Sequence, residues 1–329
     1  MKKQKSIFGN LIILIALVVL VVIFYLLNPK FLRLSNILSM MQSLAPYAVM
    51  ALGVTFVIAT GGIDLSIGTT CIAAAVVAGK FYSTGAYPLW VTIPIMIAIG
   101  CLVGLINGLL IAKLKMPAFI ATLGTMMLTR GLSALIVKDP NIFYPSGEWF
   151  NQIFSRYEQI PTGLFWVVGF MLICMYLMYK NKIGRYILSI GSNEEATRLS
   201  GINTDKYKII AYVLSGCAAG IAAIFWSASF PTVAAATGNG MELDAIAGVY
   251  IGGTSAAGGI ASVSGSIIGS LMLVVIRSGL NLVLAKFQID LNATYVTYVL
   301  TGIIVVVSVL MDVLKNSGKT KVKKNRKRL

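Results

Sequence analysis

Residues 180–208 read KNKIGRYILSIGSNEEATRLSGINTDKYK and form the longest polar interval in an otherwise apolar chain. The interval carries six Lys or Arg residues and three acidic residues, and apolar runs flank it on both sides. An apolar run of roughly 20 residues is long enough for an α-helix to cross a bilayer. The pattern therefore predicts a polar loop outside the membrane, held between two membrane-spanning helices.

Inside this loop, the segment SNEEATRLSG (residues 192–201) is typical of a short helix with its own start and stop. Ser192 or Asn193 can cap the first backbone N–H groups, and the two acidic residues that follow suit the positive end of the helix dipole. Arg198 lies near the end, and Gly201 offers the left-handed residue that closes a helix. Such a helix suits docking of a soluble partner, although the composition fits a solvated loop with one helical turn equally well.

The composition excludes an ordinary soluble domain, because 57% of the residues are apolar and only 12% are charged. Without water in the hydrocarbon, the backbone must satisfy its own hydrogen bonds, which favours helices. The alternating ten-residue patterns of a membrane β-barrel are absent. The sequence therefore predicts an all-α polytopic membrane protein.

The apolar runs predict about ten transmembrane helices, some of them short or broken, within a transmembrane domain over residues 7–312. The predicted spans are 7–27, 38–60, 67–83, 91–112, 118–137, 164–180, 208–228, 242–254, 262–277 and 293–312. The first follows MKKQKS, but its length and the lack of an Ala-x-Ala-like site favour a retained anchor over a signal peptide.

The distribution of positive charge predicts the orientation. With the N-terminus inside, 19 of the 27 Lys and Arg residues lie on the cytoplasmic side, 6 lie outside, and Arg130 and Arg277 lie within spans. Positive residues collect on the cytoplasmic side, so both termini are expected there. Three cytoplasmic segments follow: 1–6, the loop 181–207 and a basic tail over 313–329.

The chain lacks the residues that several classes of protein need for their function. The chain has no His, and its four Cys fall within apolar runs without metal or disulfide spacing, which disfavours a metal centre and a membrane enzyme. Gly318, Lys319 and Thr320 lack the earlier Gly of a phosphate-binding loop, since Val313 stands in its place. The basic tail, with eight Lys or Arg residues after Asp312, favours contact with anionic membrane lipid over nucleic acid.

Glycines recur at helical spacing in three spans. They are Gly100, Gly104 and Gly108, then Gly216 and Gly220, then Gly265 and Gly269. Small residues on one helix face let two backbones approach closely, so this pattern predicts helix packing and not chemistry.

Two Gly-rich, acidic breaks interrupt the apolar pattern. One is TGGIDLSIG at 60–68, where Asp64 and Ser66 can cap the next helix, and the other is GNGMELDAIAGVYIGGTSAAGGIASVSG at 238–265, with Glu242 and Asp244 in a first helical turn. Short, Gly-interrupted spans often line a transport pathway. These acids, with Arg130 and Arg277, are expected to form structural ion pairs or helix caps, or alternatively to gate moving segments.

Four stretches carry a family resemblance. They are GGIDLSIG (61–68), GLINGLLIAKLKMPAFIATLGTMMLTRG (104–131), GRYILSIGSNEEATRLSGINTDKYKIIAYVLSG (184–216) and ELDAIAGVYIGGTSAAGGIASVSG (242–265). In this order they resemble the permease subunits of bacterial ABC sugar importers, above all those for ribose. The resemblance covers residues 31–312, leaving out the N-terminal segment and the basic tail.

The resemblance implies a multi-pass permease of the bacterial plasma membrane that is not itself an enzyme. It implies a second permease copy, a cytoplasmic ATP-binding subunit that holds the ATP and Mg, and an extracytoplasmic sugar-binding protein; this chain then needs no cofactor. The family's ATPase-coupling helix maps onto Asn193, Glu194, Glu195, Ala196, Thr197, Arg198, Leu199, Ser200 and Gly201.

A neutral, hydroxylated sugar suits a passage lined by Asn, Ser, Thr and aromatic edges. The candidates are Asn107, Thr254, Ser255, Asn281 and Asn292. Hydrogen bonding between helices is an equally good account of each.

Other cargoes and classes stay open at this stage. Galactose, xylose, a furanose-like signalling molecule or a nucleoside could replace ribose. A branched-chain amino-acid permease of similar architecture would need charge-complementary groups deep in its pathway. An ion-coupled secondary transporter would need buried carboxylates near the midplane, whereas the acids here lie at span ends.

Overall fold

The computed structural model describes residues 2–85, 87–137, 141–235, 237–288, 295–303, 306, 307 and 310. Its helices are α1 (Lys2–Leu27), α2 (Leu34–Ala59), α3 (Ile67–Ser83), α4 (Thr92–Ala112), α5 (Ala118–Val137), α6 (Trp149–Phe154), α7 (Thr162–Met175), α8 (Lys182–Ser192), α9 (Glu194–Leu199), α10 (Thr204–Ser229), α11 (Met241–Ile251) and α12 (Val263–Lys286). Residues 295–303 are also helical.

A helix occupies each of the first nine predicted spans, and residues 295–303 are helical within the tenth. The α7 helix continues as one π-helical turn over Tyr176–Lys180, which brings it to the predicted end of the sixth span. The helical polytopic fold is thus confirmed, whereas the count of ten crossings stays a prediction.

Six helical stretches within the described residues are long and apolar enough to cross a membrane. They are Leu34–Ala59, Leu89–Ala112, Ala118–Val137, Thr162–Lys180, Thr204–Ser229 and Val263–Lys286. The apolar stretches Ile13–Leu27 and Ile67–Ser83 are shorter. The 11 residues of α11 rise only about 16 Å, roughly half the hydrocarbon thickness.

The helix α3 lies in the interior of the bundle, where it packs against α4, α5, α10 and α11. Nearly every side chain of α3 from Ile67 to Gly79 is buried. A helix that is apolar on all sides belongs in the interior of a bundle. By contrast, α1 lies at the periphery, where it packs mainly on α12 and leaves many apolar side chains exposed for lipid or another chain.

The predicted glycine contacts are confirmed. The backbone of α10 at Gly216 and Gly220 lies against α4, so closely that a Cβ on Gly100 would overlap the carbonyl oxygen of Gly216. Gly265 and Gly269 of α12 meet the backbone of α11 in the same way. In both helix pairs, glycine allows a backbone contact that larger residues would prevent.

Two short strands were not predicted from the sequence. β1 (Ile142–Phe143) pairs antiparallel with β2 (Thr232–Val233), with Ile142 opposite Val233. Together with α6 they lie at the end of the bundle opposite α8 and α9. Strands of two residues leave no alternating pattern for sequence analysis to detect.

The α4–α10 contact makes a first prediction. Gly100→Ala should lower the free energy of unfolding by about 1–3 kcal/mol, because its Cβ overlaps the α10 backbone. Gly124→Ala is the control: no heavy atom lies within 4 Å of that added Cβ, and alanine favours a helix by about 1 kcal/mol over glycine.

The melting temperature of the purified protein in detergent measures both variants. We expect Gly100→Ala to melt below the wild type and Gly124→Ala to melt at or above it. Equal melting temperatures for the two variants would contradict the packing role.

Candidate functional site

The short helix predicted over residues 193–201 is α9, with its flanking residues as caps. The side chain of Asn193, not Ser192, accepts a hydrogen bond from the Ala196 N–H at 2.9 Å. The predicted acidic first turn is present, and Gly201 has a φ of 81°, which is the left-handed conformation expected after a helix end. The start and stop read from the sequence are therefore confirmed.

The surface of α9 is charged, with one large apolar side chain. Leu199 is 84% exposed, more than any other large apolar residue that the structure describes, and Glu195 and Arg198 are exposed beside it. Thr197 alone of this helix is buried, and its hydroxyl donates to the Asn193 carbonyl. An exposed leucine ringed by charge, on a helix fixed by one buried residue, is a surface suited to a protein partner.

Ion pairs attach this region to the bundle at two places. The carboxylate of Glu194 accepts from Lys208 at 2.6 Å and from Arg198 at 3.1 Å. Asp205 accepts from Lys115, in the turn between α4 and α5, at 2.7 Å. The start of α10 is thus tied both to α9 and to the neighbouring turn.

These contacts also set the ionisation of Glu194. Burial raises the pKa of this carboxyl, but the hydrogen bond from Lys208 and the charges of Lys208 and Arg198 outweigh it, so the pKa lies below its usual range. A carboxyl with a lowered pKa keeps its ion pairs until the pH falls below the ordinary carboxyl range. The α9 contacts are therefore present at neutral pH.

The helix α8 lies within residues 181–207, for which the sequence predicts a loop outside the membrane with only the shorter helix at 193–201. Asn181 caps it by accepting from the Ile183 N–H at 3.0 Å, and Ile187 and Ile190 bury one face. The isoleucines at 183, 187 and 190 have helical spacing, a signal that could have been found. Only Asn193 separates α8 from α9. We call the two helices together, residues 182–199, the α8–α9 arm.

The end of α8, at its joint with α9, lies where both Gly-rich breaks meet, a place we call the glycine junction: residues 59–61, 191–192 and 258–259. The Gly259 N–H donates to the Ala59 carbonyl at 3.0 Å. A Cβ on Gly191 would overlap both of these backbones, and a Cβ on Gly258 would lie 2.8 Å from the Gly61 nitrogen. The end of α8 is therefore wedged between the end of α2 and the loop after α11.

Beside the junction, Asp64 is 1% exposed and is held by hydroxyl and amide donors. Oδ1 accepts from the Ser66 N–H at 3.0 Å and from the Ser66 hydroxyl at 2.7 Å. Oδ2 accepts from the Ser215 hydroxyl of α10 at 2.7 Å. No Lys or Arg among the described residues lies within ion-pairing distance of Asp64. Its carboxylate bonds Ser66, the residue just before α3, and a gating role for Asp64 stays a prediction.

Asn107 extends this network. It is fully buried; its amide nitrogen donates to the Ser66 hydroxyl at 2.8 Å, and its oxygen accepts from Thr125 at 2.7 Å. The network thus joins the α2–α3 turn to α4, α5 and α10. Asn107 serves the interhelical bonding that the sequence left open, and its pathway role stays a prediction.

Arg277 and Asp244 form an ion pair, one of the roles that the sequence left open for the charged residues of the spans. Nη2 of Arg277 lies 2.5 Å from Oδ2 of Asp244, while Nη1 donates to the Tyr47 hydroxyl at 2.7 Å. Arg130 and Glu242 attract each other electrostatically but lie too far apart for an ion pair, and one buried oxygen of Glu242 has no partner among the described residues.

The Asp244–Arg277 pair lines a cavity of about 160 Å³. Its wall consists of Tyr47, Trp226, Gly238, Asn239, Met241, Asp244, Arg277, Asn281, Thr297 and Tyr298. Trp226 lies 22 residues along α10 from Thr204, so the cavity is about 33 Å from the loop end of that helix. Of these residues the sequence pattern marks Asn281, Asp244 and Arg277. The aromatic residues of the wall come from distant parts of the chain, and no local pattern marks them.

Two other residues predicted to line the pathway do not line this cavity. Thr254 and Ser255 are buried in the loop after α11, where the Thr254 hydroxyl accepts from the Ser262 N–H at 3.1 Å and the Ser255 N–H donates to the Ile260 carbonyl. They hold this loop in shape, and contact with cargo stays a prediction for them. Asn292 and the tail 313–329 lie outside the described residues. Among the described side chains, no three acidic or Cys groups gather as metal ligands.

Comparison with known proteins gives a family and several relatives. The profile of the family described as "Branched-chain amino acid transport system / permease component" matches residues 36–309. The ribose import permease protein RbsC of Escherichia coli (strain K12) is 36% identical over 306 residues, which cover 91% of this chain and 92% of the relative. RbsC of Bacillus subtilis (strain 168) is 37% identical over 307 residues, 92% of each chain.

A relative with a different cargo in its name is also similar. The galactose/methyl galactoside import permease protein MglC of Escherichia coli (strain K12) is 32% identical over 327 residues, 93% of this chain and 95% of that protein. No solved structure matches the chain. Because the family profile spans most of the bundle, including both Gly-rich breaks and the α8–α9 arm, this chain belongs to the branched-chain amino acid transport system permease family.

Proposed function

We propose that this chain is the membrane-spanning permease of an ATP-driven importer that carries a monosaccharide, with ribose as the first choice. The observation that carries the proposal is the identity of 36% to a ribose import permease over nine-tenths of both chains. The similarity to a galactose permease supports galactose as the alternative cargo. The chain itself is not an enzyme, and ATP with its Mg is hydrolysed in a separate subunit.

In this proposal the chain lies in the bacterial plasma membrane with about ten crossings. The excess of Lys and Arg supports a cytoplasmic location for both termini and for the α8–α9 arm. The cavity then lies in the outer half of the bundle, on the side that receives sugar from an extracytoplasmic binding protein. A second permease copy covers part of the exposed apolar surface, and lipid covers the rest.

The α9 helix is the proposed contact with the ATPase. Its exposed Leu199, Glu195 and Arg198 offer an apolar anchor within a charged rim. Movement of the ATPase displaces α9, and the short joint at Asn193 passes this displacement to α8. Since the end of α8 is wedged into the glycine junction, both breaks must move with it.

The defining experiment is uptake into proteoliposomes that contain the permease, its ATPase and its binding protein. We expect ATP-dependent accumulation of D-ribose, with D-galactose as the alternative. Accumulation driven by an ion gradient without the ATPase, or of L-leucine in place of any sugar, would overturn the proposal.

The rigidity of α9 can be tested at its cap. Asn193→Ala removes the side-chain acceptor of the Ala196 N–H, which costs about 1 kcal/mol at a helix start. Amide hydrogen exchange of residues 194–199 should therefore quicken about fivefold, the equivalent of that free energy, and uptake should fall. Asn203→Ala is the matched control, because Asn203 caps α10 by the same contact with Lys206.

Exchange of these amides is measured by mass spectrometry on the purified protein. We expect the control to quicken exchange at the start of α10 and to leave α9 unchanged. If Asn193→Ala exchanges like the wild type, the cap does not hold α9 rigid.

The docking role of α9 can be tested by charge reversal. Changing Glu194 and Glu195 together to Lys places positive charge at the positive end of the helix dipole and removes the pairing with Lys208 and Arg198. We expect at least about a tenfold loss of co-purified ATPase, since like-charge contacts cost several kcal/mol at an interface, while the permease stays in the membrane.

The matched control reverses two exposed charges at the opposite end of the bundle, Glu148 and Glu158. This variant should retain its ATPase. A Glu194/Glu195 variant that still holds the ATPase and transports at the wild-type rate would remove α9 from the docking surface.

The buried carboxylate near the junction makes a separate prediction. Asp64→Asn keeps the shape of the side chain but replaces one acceptor oxygen, which must face Ser66 or Ser215, with a donor. We expect uptake to fall more than the amount of protein in the membrane, because the network joins the moving breaks. Normal uptake at a normal protein level would refute a gating role for Asp64.

A further inference from the structure

The cavity at the end of the bundle away from the α8–α9 arm has the chemistry of a site for a neutral polyol. Its charged residues, Asp244 and Arg277, form a pair 2.5 Å apart, so they present polar atoms without a net charge. An amino acid zwitterion or an ion would require unpaired charges at this place. A neutral, hydroxylated molecule can share hydrogen bonds with the pair without separating it.

The mouth of the cavity adds free amide groups. Asn281 and Asn239 are exposed, and neither side chain has a hydrogen bond within the described residues. The hydroxyl of Tyr298 donates to the backbone carbonyl of Asn239 at 3.0 Å, which holds the aromatic ring over one side of the cavity. Amides donate and accept at once, as hydroxyl groups do, and can therefore bind a sugar in several orientations.

A second, independent observation comes from Trp226. Its side chain is 9% exposed and lines the cavity, packed edge-on against Tyr47, yet its indole N–H has no hydrogen-bond partner among the described residues. A buried indole N–H usually finds a partner, and leaving one unpaired costs free energy. A hydroxyl group that entered the cavity could accept this hydrogen bond after a small shift of the ring.

The volume is adequate for a small cargo. The cavity volume of about 160 Å³ is some tenfold larger than the roughly 15 Å³ of free space that holds one water molecule. Aromatic faces with a few convergent polar groups are typical of sites for small organic ligands.

We infer that this cavity is a transient binding site for a single monosaccharide, formed by Trp226, Tyr47, Asn281 and the Asp244–Arg277 pair. The inference rests on the proposed function and deepens it, since it assigns the place where the sugar pauses after it leaves the binding protein. The few polar contacts available fit weak binding, which allows release.

Binding can be observed directly through Trp226. The chain has four Trp residues, so replacing Trp90, Trp149 and Trp166 with Phe leaves Trp226 as the only fluorescent indole. In detergent, millimolar D-ribose, D-galactose or D-fructose should change its emission in a saturable manner, and L-leucine should not. No change with any of the sugars, or a saturable change with L-leucine, would overturn the inference.

Transport supplies the second readout, in the complete transporter with its ATPase and binding protein. Trp226→Phe retains an aromatic ring but removes the N–H, and Asn281→Ala removes the amide. We expect each to lower sugar uptake about fivefold, as the loss of one hydrogen bond would. Trp166→Phe is the matched control, because Trp166 is 52% exposed and bonds only the Ile153 carbonyl, outside the cavity.

The outcomes separate the two proposals. A wild-type transporter that imports no sugar refutes the proposed function. A wild type that imports sugar, with both cavity variants within twofold of the control and equally stable by melting temperature, refutes the cavity alone.

Discussion

The backbone contact at the glycine junction is the constraint on which the rest of the structure depends. Where a helix ends or breaks, its terminal N–H and C=O groups have no partner within the helix, so another part of the chain or water must satisfy them. Here the two breaks satisfy each other in part, since the Gly259 N–H donates to the Ala59 carbonyl. The end of α8 fits against both only because residue 191 has no side chain.

Because of this contact, a displacement of the α8–α9 arm is transmitted directly to the helix ends inside the bundle. A side chain at position 191 would hold α8 away from the breaks, and motion of the arm could then be absorbed by the intervening space. With direct backbone contact, there is no flexible side chain to absorb it. Packed protein interiors are stiff and pass displacement on, which makes the junction a suitable element for coupling a soluble motor to membrane helices.

The buried polar groups fix how the helices lie relative to one another. Asp64 joins the α2–α3 turn to α10 through Ser215, and Arg277 joins α12 to α11 and α2 through Asp244 and Tyr47. Removing one partner of such a pair leaves a buried charge unsatisfied, although the intact pair adds little stability of its own. These groups therefore determine which packing arrangement the helices adopt, and they add little to overall stability.

Local signals explain what could be predicted from the sequence. The helix bounds follow from apolar runs, the ends of α9 from Asn193 and Gly201, and the close backbone packing of α4, α10 and α12 from glycines four residues apart. Each of these signals lies within a single segment of the chain.

The remaining features depend on which segments meet, which no local pattern encodes. Ser215 lies 151 residues from Asp64, and the cavity combines Tyr47 with Trp226 and Tyr298. The acid that pairs with Arg277 could have been Glu242, two residues before Asp244 on the same helix; only the packed structure decides between them.

The two ends of the bundle differ in a way that bears on transport. Near the arm, the breaks are closed by backbone contacts at the junction and by the Asp64 network, whereas the opposite end contains a polar cavity. A transporter must close one end while the other is open, and a ligand can shift that balance only if it binds the two states unequally. A sugar in the cavity contacts groups on α2, α10, α11 and α12. The hydrogen bond between Ser266 and Thr55 also joins α12 to α2, the helix that ends at the junction. Occupancy of the cavity and position of the arm therefore act on the same helices, which is the physical requirement for coupling import to work done outside the membrane.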